Sequence, residues 1–470
     1  MRTKTTPPVP PLGEGVGGEG HKISREEIVR ISEAVLAMPE HPLKVGEDVF
    51  RIRVAEMDWD IGGMVYEPRD SALVPTGADG KRVGLFLLHG GAGDHRSKDR
   101  MARFIAARYG YKVASMTFPG KLYLLDPSRD WPGDTMHSDG TARTPLWSAD
   151  SPITPDQYEL IQDRSDAVKR AKWGTLFFLR AKEGTEFYYR LAAWPLAFEE
   201  AMKEVCRRNF RPDAYSIYLH GHSTGGPFVH MLLQRVENVA GLLGAESSPW
   251  GQLYARMLGM SWEYPFNYLT LRTWRHIAKY AGPEAGPDGA WRLPWLMEDV
   301  FEAWERVKGQ PQFKAEYFVT YAALDALAEA AQVTASRLGM GVAERRELVK
   351  RYHGYTRELS GPGVRPVPPL LYGIARGSRD HTEERYRRVL LPALAALDPP
   401  PRARLVVFEA GVHGYEKPED GLPRGILPAV TQTWHDAITG GYFAAEAQSA
   451  LSPSPSGPSG RRQARFAGSG

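Results

Sequence analysis

Residues 217–232 read IYLHGHSTGGPFVHML and lead from an apolar, strand-like stretch into an apolar, helix-like one through a cluster of small residues. Within this stretch GHSTG matches the pattern G-x-S-x-G, with Ser223 at the corner. A strand-to-helix turn without an intervening loop forces the corner residue into strained backbone angles, and small residues at Gly221 and Gly225 let the backbone pass. The Ser223 hydroxyl should therefore project beyond the carboxyl end of a buried strand, where open α/β sheets bind ligands.

Strand and helix patterns alternate on both sides of this motif. Apolar runs that predict buried strands are VGLFLLHG (83–90), YKVASMTF (111–118), AYSIYLHG (214–221), VAGLLGAE (239–246), LLYGIA (370–375) and ARLVVFEA (403–410). Amphipathic helices separate them, and FRIRVAEMDWDIGGMVYEP (50–68), with its central glycine pair, predicts an antiparallel hairpin. The expected fold class is α/β, with a mostly parallel twisted sheet flanked by helices.

The chain divides into a core and three other segments. An N-terminal extension with one short helix, capped by Ser24 and Glu27, is expected to pack on the edge of the core. The predicted segments are 1–44 (extension), 45–247 with 367–445 (core), 248–366 (helical insertion) and 446–470 (disordered tail). Inside the core, residues 119–187 lack a clear period and predict a long, partly ordered excursion.

The helical insertion is rich in tryptophan. Six of the twelve tryptophans fall there: Trp250, Trp262, Trp274, Trp291, Trp295 and Trp304. Such residues build the core of a small helical subdomain, and at least one is also expected to face a substrate.

Composition narrows the class of protein. Hydrophobic residues make up 42% and charged residues 24% of the chain, and no apolar run of about 18 residues could cross a bilayer. We therefore expect a soluble protein without a membrane partner. The N-terminus lacks the apolar segment of a secretory signal, so the cytoplasm is the expected location. The single cysteine, Cys206, excludes an intrachain disulfide.

Charge and motifs argue against nucleic acids and metals as partners. The net charge is +3, and the three arginines after Ser452, in a stretch without acids, account for it, so the rest of the chain is neutral and lacks a basic footprint. No HExxH, EF-hand or phosphate loop occurs. His220 and His222, spaced i, i+2 on a predicted buried strand, fit no metal motif and are interpreted as packed or hydrogen-bonded structural residues. No metal site is predicted.

A serine nucleophile needs a general base, and the base needs a carboxylate that orients it. With GHSTG at an elbow and His413 in the loop after ARLVVFEA, the chain resembles the α/β-hydrolase superfamily over residues 45–247 and 367–445, as a serine esterase or lipase-like member with a large helical cap. The resemblance implies Ser223 as the nucleophile, His413 as the base and Asp380 as the acid. Asp380 could instead cap the following helix, and Glu246, after the strand VAGLLGA, is the alternative acid.

The stretch HGGAGD, residues 89–94, resembles the oxyanion segment of the same superfamily. The resemblance implies Gly91 as the first amide donor, Gly90 as the next candidate and Thr224 as the second donor. Ala92 departs from the extended HGGG form, which leaves the choice between Gly91 and Gly90 open.

These residues predict a serine hydrolase that cleaves a carboxylic ester, with a hydrophobic or aromatic group, through an acyl-enzyme and without a metal or organic cofactor. Its partner would be a small-molecule ester or amide, and the sequence gives no indication of an oligomeric state. An amidase or carbamate hydrolase would use the same residues. A non-catalytic ligand-binding protein on the same fold, or an interaction module built on the helical insertion, is the alternative outside catalysis. Ser223 argues against dehalogenase or epoxide hydrolase chemistry, which needs a carboxylate nucleophile.

Overall fold

The computed structural model describes most of the predicted core. The described residues are 21–54, 56–90, 93–123, 147–163, 176–182, 185–246, 338–344, 347, 365–378, 382–395, 397 and 399–444. Within these residues no helix has the length and apolar character needed to cross a membrane.

Nine strands form one sheet. The strands in chain order are β1 His21–Ile23, β2 Leu43–Val54, β3 Met57–Pro68, β4 Arg82–Leu88, β5 Lys112–Met116, β6 Tyr158–Asp163, β7 Leu176–Ala181, β8 Tyr215–Gly221, β9 Val239–Ala245, β10 Leu370–Ala375, β11 Ala403–Phe408 and β12 Pro423–Ile426. The order across the sheet is β1-β11-β10-β9-β8-β4-β5-β3-β2. Only β3 pairs antiparallel with its neighbours β2 and β5, and the other pairs are parallel. The predicted fold class, a mostly parallel sheet flanked by helices, is confirmed.

Helices cover the sheet. They are α1 Arg25–Leu36, α2 Asp99–Tyr109, α3 Glu186–Asn209, α4 Gly226–Leu232 and α5 Leu427–Thr439. A shorter helical run joins Glu383–Arg385, Tyr386–Leu390 and Leu391–Ala395, with the middle part wound as a π-helix. Two helix ends follow the sequence signals: the Ser24 side chain accepts a 3.2 Å hydrogen bond from the Glu27 amide, and Gly110 ends α2 with a φ of 72°.

The N-terminal residues that the structure describes are part of the core. β1 pairs parallel with β11 at the edge of the main sheet. α1 buries Ile28, Ile31 and Val35 in the same apolar cluster as α5. Residues 21–44 therefore extend the sheet and its helical layer, and residue 45 does not mark a structural boundary.

The predicted hairpin is present as β2 and β3, with its turn between Val54 and Met57. The glycine pair lies inside β3 and does not form the turn. A Cβ on Gly62 would lie 2.7 Å from Cδ1 of Leu122 and 2.8 Å from the His95 ring, so close packing on this face requires the glycine.

The described parts of the excursion 119–187 include an antiparallel hairpin of β6 and β7. Trp147 is fully buried there, with its ring centre 5.1 Å from that of Trp59 on β3. The tail 446–470 and nearly all of the insertion 248–366 lie outside the described residues, so the helical cap stays a prediction.

The carboxyl ends of the seven parallel strands of this sheet lie at one edge. Five of these strands, β4, β8, β9, β10 and β11, run through the buried interior. The chain leaves β4 for β5 on one side and returns as β8 on the other side, so the sheet has its topological switch point between β4 and β8. Open α/β sheets bind ligands in the crevice beside such a point.

Candidate active site

Ser223 occupies a strained corner between β8 and α4. Its φ is 51°, in the left-handed region that side chains other than glycine rarely adopt. The turn is closed by two backbone hydrogen bonds, from the Gly225 amide to the His222 carbonyl at 2.8 Å and from the Gly226 amide to the Ser223 carbonyl. This geometry lifts the half-buried serine above the end of β8, as the motif predicts.

The two glycines of the motif are required by close approach. A Cβ on Gly221 would lie 2.5 Å from Cγ2 of Val229 and 2.6 Å from the Gly225 carbonyl oxygen. A Cβ on Gly225 would lie 2.6 Å from the carbonyl oxygen of His89 at the end of β4. Both contacts are shorter than atoms can tolerate, so the elbow packs this tightly only with glycine at both positions.

Glu246 follows β9 directly and is fully buried. Its backbone φ is 44°, and its amide donates to the Gly373 carbonyl at 3.2 Å. Its carboxylate accepts two backbone hydrogen bonds of 2.9 Å, one at Oε1 from the Ala375 amide and one at Oε2 from the Gly414 amide. Three strand ends therefore hold this side chain in one position.

His413 lies in the loop after β11 and contacts Glu246. Its Nδ1 lies 2.8 Å from Oε2 of Glu246, and the imidazole side chain is 33% exposed. The distance is that of a close polar contact, although the ring N–H is not well aligned with the oxygen. The ring centre of His413 is also 4.6 Å from that of His222, the residue before Ser223. The base predicted from sequence is thus held between the alternative acid and the elbow.

Asp380, the acid that the sequence favours, lies outside the described residues. The described part of its loop runs beside the His413 loop, with the Gly377 amide donating to the Gly411 carbonyl at 3.0 Å. Among the described residues, the carboxylate that contacts Nδ1 of His413 is that of Glu246. The structure thus pairs the histidine with the residue that sequence reasoning ranked second.

The segment after β4 lies against the elbow. A Cβ on Gly90 would lie 3.4 Å from Cβ of Ser223 and 3.1 Å from Nδ1 of His222. Thr224 follows the serine in the same tight turn. Two of the three predicted oxyanion donors, Gly90 and Thr224, are therefore next to the nucleophile, while Gly91 and Ala92 lie outside the described residues.

His89, which the sequence analysis did not single out, holds this segment in place. Its Nδ1 donates to the Gly90 carbonyl at 2.6 Å, and its Nε2 accepts from the Phe118 amide at 3.3 Å. Its ring stacks on that of Phe118 at 4.0 Å. Burial lowers the pKa of His89 well below its usual value, so the neutral ring keeps one donor and one acceptor nitrogen. The histidine beside the glycine pair was the available sequence signal.

A buried lysine lies beneath the same edge. Lys98, directly before α2, is 7% exposed. Burial lowers its pKa, while the negative charges of Glu416 and Glu246 act in the opposite direction. The ammonium group is therefore close enough to the Glu246 carboxylate to attract it. Sequence reasoning missed this lysine because it lies on an otherwise ordinary helix start.

His220 on β8 and His222 at the corner after it have different surroundings. His220 is fully buried, its Nδ1 donates to the Leu243 carbonyl at 2.7 Å, and burial lowers its pKa to about 3. It is structural, in line with its interpretation from sequence. His222 instead offers a ligand atom to a group with Glu246 and His413 in which all three atoms lie within 4.8 Å of one another. Two imidazoles and a carboxylate form a donor set that transition metals accept.

No family model matches the sequence, and a search of curated proteins found no match. Solved structures with similar folds include an uncomplexed acylaminoacyl peptidase from Pyrococcus horikoshii, with 11% identity and a TM-score of 0.35 over 86% of this chain and 43% of that one. An S-formylglutathione hydrolase from Agrobacterium tumefaciens gives 12% identity and a TM-score of 0.35 over 84% and 95% of the two chains. A lipase in its open form gives 13% identity and a TM-score of 0.37 over 84% of this chain and 99% of the lipase chain. The chain thus spans less than half the length of the peptidase, and similarities this weak carry no argument about this protein.

The strand order, the serine at a strand-to-helix elbow and the histidine after β11 are those of the α/β-hydrolase fold. The resemblance seen in the sequence is thereby shown at the level of the fold. What the molecule does has to be argued from its side chains.

Proposed function

We propose that the protein is a serine hydrolase that cleaves carboxylic esters through an acyl-enzyme. The observation that carries this proposal is the 2.8 Å contact between Nδ1 of His413 and the buried carboxylate of Glu246, made beside the elbow that carries Ser223. A histidine oriented by a carboxylate next to a strained serine is the arrangement that makes a hydroxyl nucleophilic.

The proposed roles of Ser223, His413 and Glu246 follow from the positions of the protons on the His413 ring and the serine hydroxyl. With the proton on Nδ1 facing Glu246, Nε2 of His413 carries the lone pair that accepts the Ser223 proton as Oγ attacks the ester carbonyl carbon. The imidazolium then returns this proton to the leaving alcohol as the C–O bond breaks. Water, deprotonated by the same nitrogen, cleaves the acyl-enzyme and restores the serine. Every step uses side chains of the protein, and none calls for a metal or organic cofactor.

Glu246 is the acid in this proposal, in place of Asp380. Its two carboxylate oxygens each accept a hydrogen bond from a backbone amide, which fixes the direction in which the carboxylate faces His413. The nearby ammonium of Lys98 adds a favourable electrostatic interaction. A carboxylate held this firmly supplies both functions of a triad acid: it selects the tautomer and stabilises the imidazolium.

The negative charge on the carbonyl oxygen needs amide donors, and we assign them to Thr224 and to Gly90 or Gly91. Support comes from the position of Gly90 against Ser223 and from the His89 contacts that fix the loop. Preorganised donors of this kind are worth about 2.7–4 kcal/mol each in comparable enzymes.

The proposed substrate is an ester with a hydrophobic or aromatic group. This part rests on the tryptophan-rich insertion 248–366, which begins two positions after Glu246 in the chain. Amides and carbamates would react through the same residues, so the leaving group is the variable to test.

The test is hydrolysis of a panel of chromogenic esters with acyl groups of increasing length and aromatic content. We expect Ser223→Ala to lose several orders of magnitude in kcat, because the nucleophile is gone and only binding and amide donors remain. Ser71→Ala, which removes an exposed serine far along the chain from the motif, is the matched control and should keep full activity. Equal rates for the wild type and Ser223→Ala would overturn the proposal.

A serine-directed fluorophosphonate tests the base separately. Labelling should occur in the wild type, disappear in Ser223→Ala and slow strongly in His413→Gln. If His413→Gln is labelled as fast as the wild type, the assignment of the base fails while the nucleophile stands.

A further inference from the structure

His222 is a second imidazole at the candidate active site, and two glycines lie close to its ring. A Cβ on Gly90 would come within 3.1 Å of its Nδ1, and a Cβ on Gly414 within 3.6 Å of its Nε2. The ring thus spans the gap between the loop after β4 and the loop that carries His413. Its centre lies 4.6 Å from the His413 ring, with 38° between the ring planes.

The two imidazoles and the Glu246 carboxylate form one cluster of donor atoms. One ligand atom of each residue lies within 4.8 Å of the others. Two histidine nitrogens and one glutamate oxygen, with a fourth position left open, match the ligand set of many three-ligand zinc sites. Hard cations such as Mg²⁺ and Ca²⁺ prefer oxygen ligands and do not suit this set.

We propose that His222, His413 and Glu246 form a Zn²⁺ site, and that the bound ion inhibits the hydrolase. The inhibitory part rests on the proposed function, whereas the binding part rests on the donor cluster alone. The sequence alone predicted no metal site at these residues.

The distances favour zinc after a modest adjustment. Tetrahedral zinc with bonds of about 2.0–2.1 Å holds its ligand atoms about 3.3 Å apart. His413 and Glu246 are already 2.8 Å apart, so this pair needs to open by only about half an ångström. The largest change falls on His222, because separations of up to 4.8 Å have to shorten by about 1.5 Å.

Rigidity, access and charge set the expected affinity. The Glu246 carboxylate is fixed by two backbone amides, while the His413 side chain is 33% exposed and gives the ion a path from solvent. The ammonium of Lys98, close enough to act on Glu246, repels a divalent cation. Binding should therefore be weaker than at a structural zinc site and reversible with a chelator.

Bound zinc would stop the reaction in a simple way. Coordination through Nδ1 uses the lone pair of that nitrogen, and the single proton of the neutral His413 ring moves to Nε2. Glu246 then bonds to the ion and no longer orients the ring. With Nδ1 on the metal and Nε2 protonated, His413 has no lone pair left to accept the Ser223 proton.

Binding is measured first, without reference to activity. Ser223→Ala keeps all three ligands, so calorimetric titration of this variant with Zn²⁺ should give one site per chain, and Co²⁺ should give the visible absorption of a four-coordinate ion. Adding His222→Gln should weaken binding at least tenfold. His41→Gln, which removes a histidine before β2 that belongs to none of the site loops, is the matched control and should bind as Ser223→Ala does.

Inhibition is measured second, with each variant compared with its own metal-free rate. Zn²⁺ should inhibit the wild type, a chelator should restore the rate, and His222→Gln should require at least tenfold more zinc. Equal zinc affinity in Ser223→Ala with and without His222→Gln overturns the site. Zinc binding without any loss of ester hydrolysis overturns the inhibition. Zinc binding by a protein whose wild type and variants all fail to hydrolyse esters means that the proposed function failed and the metal site stands.

Discussion

Positive φ values mark residues that border the candidate active site. Among the described residues, four other than glycine have them, and three of the four are Ser223, Glu246 and Tyr415. Such conformations cost on the order of 1–3 kcal/mol each and persist only where packing enforces them. Tyr415 shows how: it is buried, and its hydroxyl donates to the Gly373 carbonyl, which also accepts the Glu246 amide. The strain at Glu246 is therefore held by Tyr415, two positions after His413.

At the scale of single residues, replacing Glu246 tests most directly whether it is the acid of the proposed triad. Glu246→Gln keeps the size of the side chain but removes its charge and its control of the His413 tautomer. We expect kcat/KM for a reactive ester to fall by about 10³–10⁴-fold, with the far-ultraviolet circular dichroism unchanged. Asp380→Asn is the matched control and should change the rate less than about threefold.

The opposite pattern, with Asp380→Asn inactive and Glu246→Gln active, would return the acid to Asp380. Comparable large losses in both variants would instead mean that the two carboxylates share the function.

Residue order along the chain explains why the sequence points to Ser223 and His413 and ranks the two candidate acids in the other order. The proposed nucleophile has a local signal, small residues at fixed spacing, and the proposed base lies in a glycine-flanked loop after a strand. The proposed acid has neither signal, because either of two loops could reach the histidine. Only the left-handed turn at Glu246 brings its carboxylate to Nδ1 of His413, and a backbone angle of this kind at a glutamate leaves no trace in the sequence.

At the scale of elements, the junction of β8 and α4 depends on contacts that a single methyl group would break. Gly221 and Gly225 touch Val229 and His89, so the junction is locked against both its own helix and the neighbouring strand β4. The serine is thus positioned by packing between elements as well as by its own turn.

Gly221→Ala should destabilise the protein by at least about 2 kcal/mol, because the new Cβ would lie 2.5 Å from Val229 and 2.6 Å from a backbone oxygen. Gly46→Ala in β2 is the matched control: no atom lies within 4 Å of the added Cβ, and the change should stay within about 0.5 kcal/mol. Denaturant unfolding of both variants measures the difference. Similar midpoints for the two would show that the junction relaxes more easily than its packing indicates.

Long elements were predictable and short ones were not. The apolar runs of β4, β8 and β11 extend over six or seven residues and carry a clear pattern. β1 has only three residues, and its identity as a strand depends on pairing with β11, nearly four hundred positions away. The glycine pair of β3 was a misleading signal for the turn for a related reason. Gly62 is required by close packing on His95, which is a tertiary contact, and it does not form a turn.

At the scale of the whole molecule, buried neutral histidines tie stability to pH. His220, His230 and His435 make internal hydrogen bonds, and burial lowers their pKa values to about 3, 4 and 4 from 6.5. In the unfolded chain all three accept protons below pH 6.5, whereas in the folded protein they stay neutral down to about pH 4. The unfolded state therefore binds more protons, and the free energy of unfolding falls as the pH drops below 6.5.

Between pH 7.5 and 5.5 each of these histidines should contribute a loss of about 1.4 kcal/mol, and the buried His89, whose pKa is also lowered, adds to the roughly 4 kcal/mol of these three. Carboxylates contribute little in this window, because their pKa values in the unfolded chain lie near 4. Guanidinium titrations at the two pH values give the difference, and His435→Gln should reduce it by about 1.4 kcal/mol. A free energy of unfolding that is equal or higher at pH 5.5 would contradict the account.

The fold class was predictable because alternation of buried strands with helices leaves few topologies open. The edge of the sheet at which the functional residues meet followed from the same pattern, since each of them comes directly after a parallel strand. Sequence could not indicate which neighbours occupy the space between these residues. The buried Lys98 and the pairing of His222 with His413 depend on tertiary contacts, and neither has a local pattern.

The pairing of β1 with β11, and of α1 with α5, joins the first described residues of the chain to the last. Arg25 reinforces this closure through Glu419 and the Asp420 carbonyl. A ribosome releases the chain from its N-terminus, so the apolar face of α1 is synthesised long before its partner exists. Contacts of such long sequence separation slow folding, and an incomplete chain exposes surface that promotes aggregation. Assembly of this edge of the sheet must therefore wait until β11 has been synthesised, and nascent chains that stall before β11 would depend on chaperones.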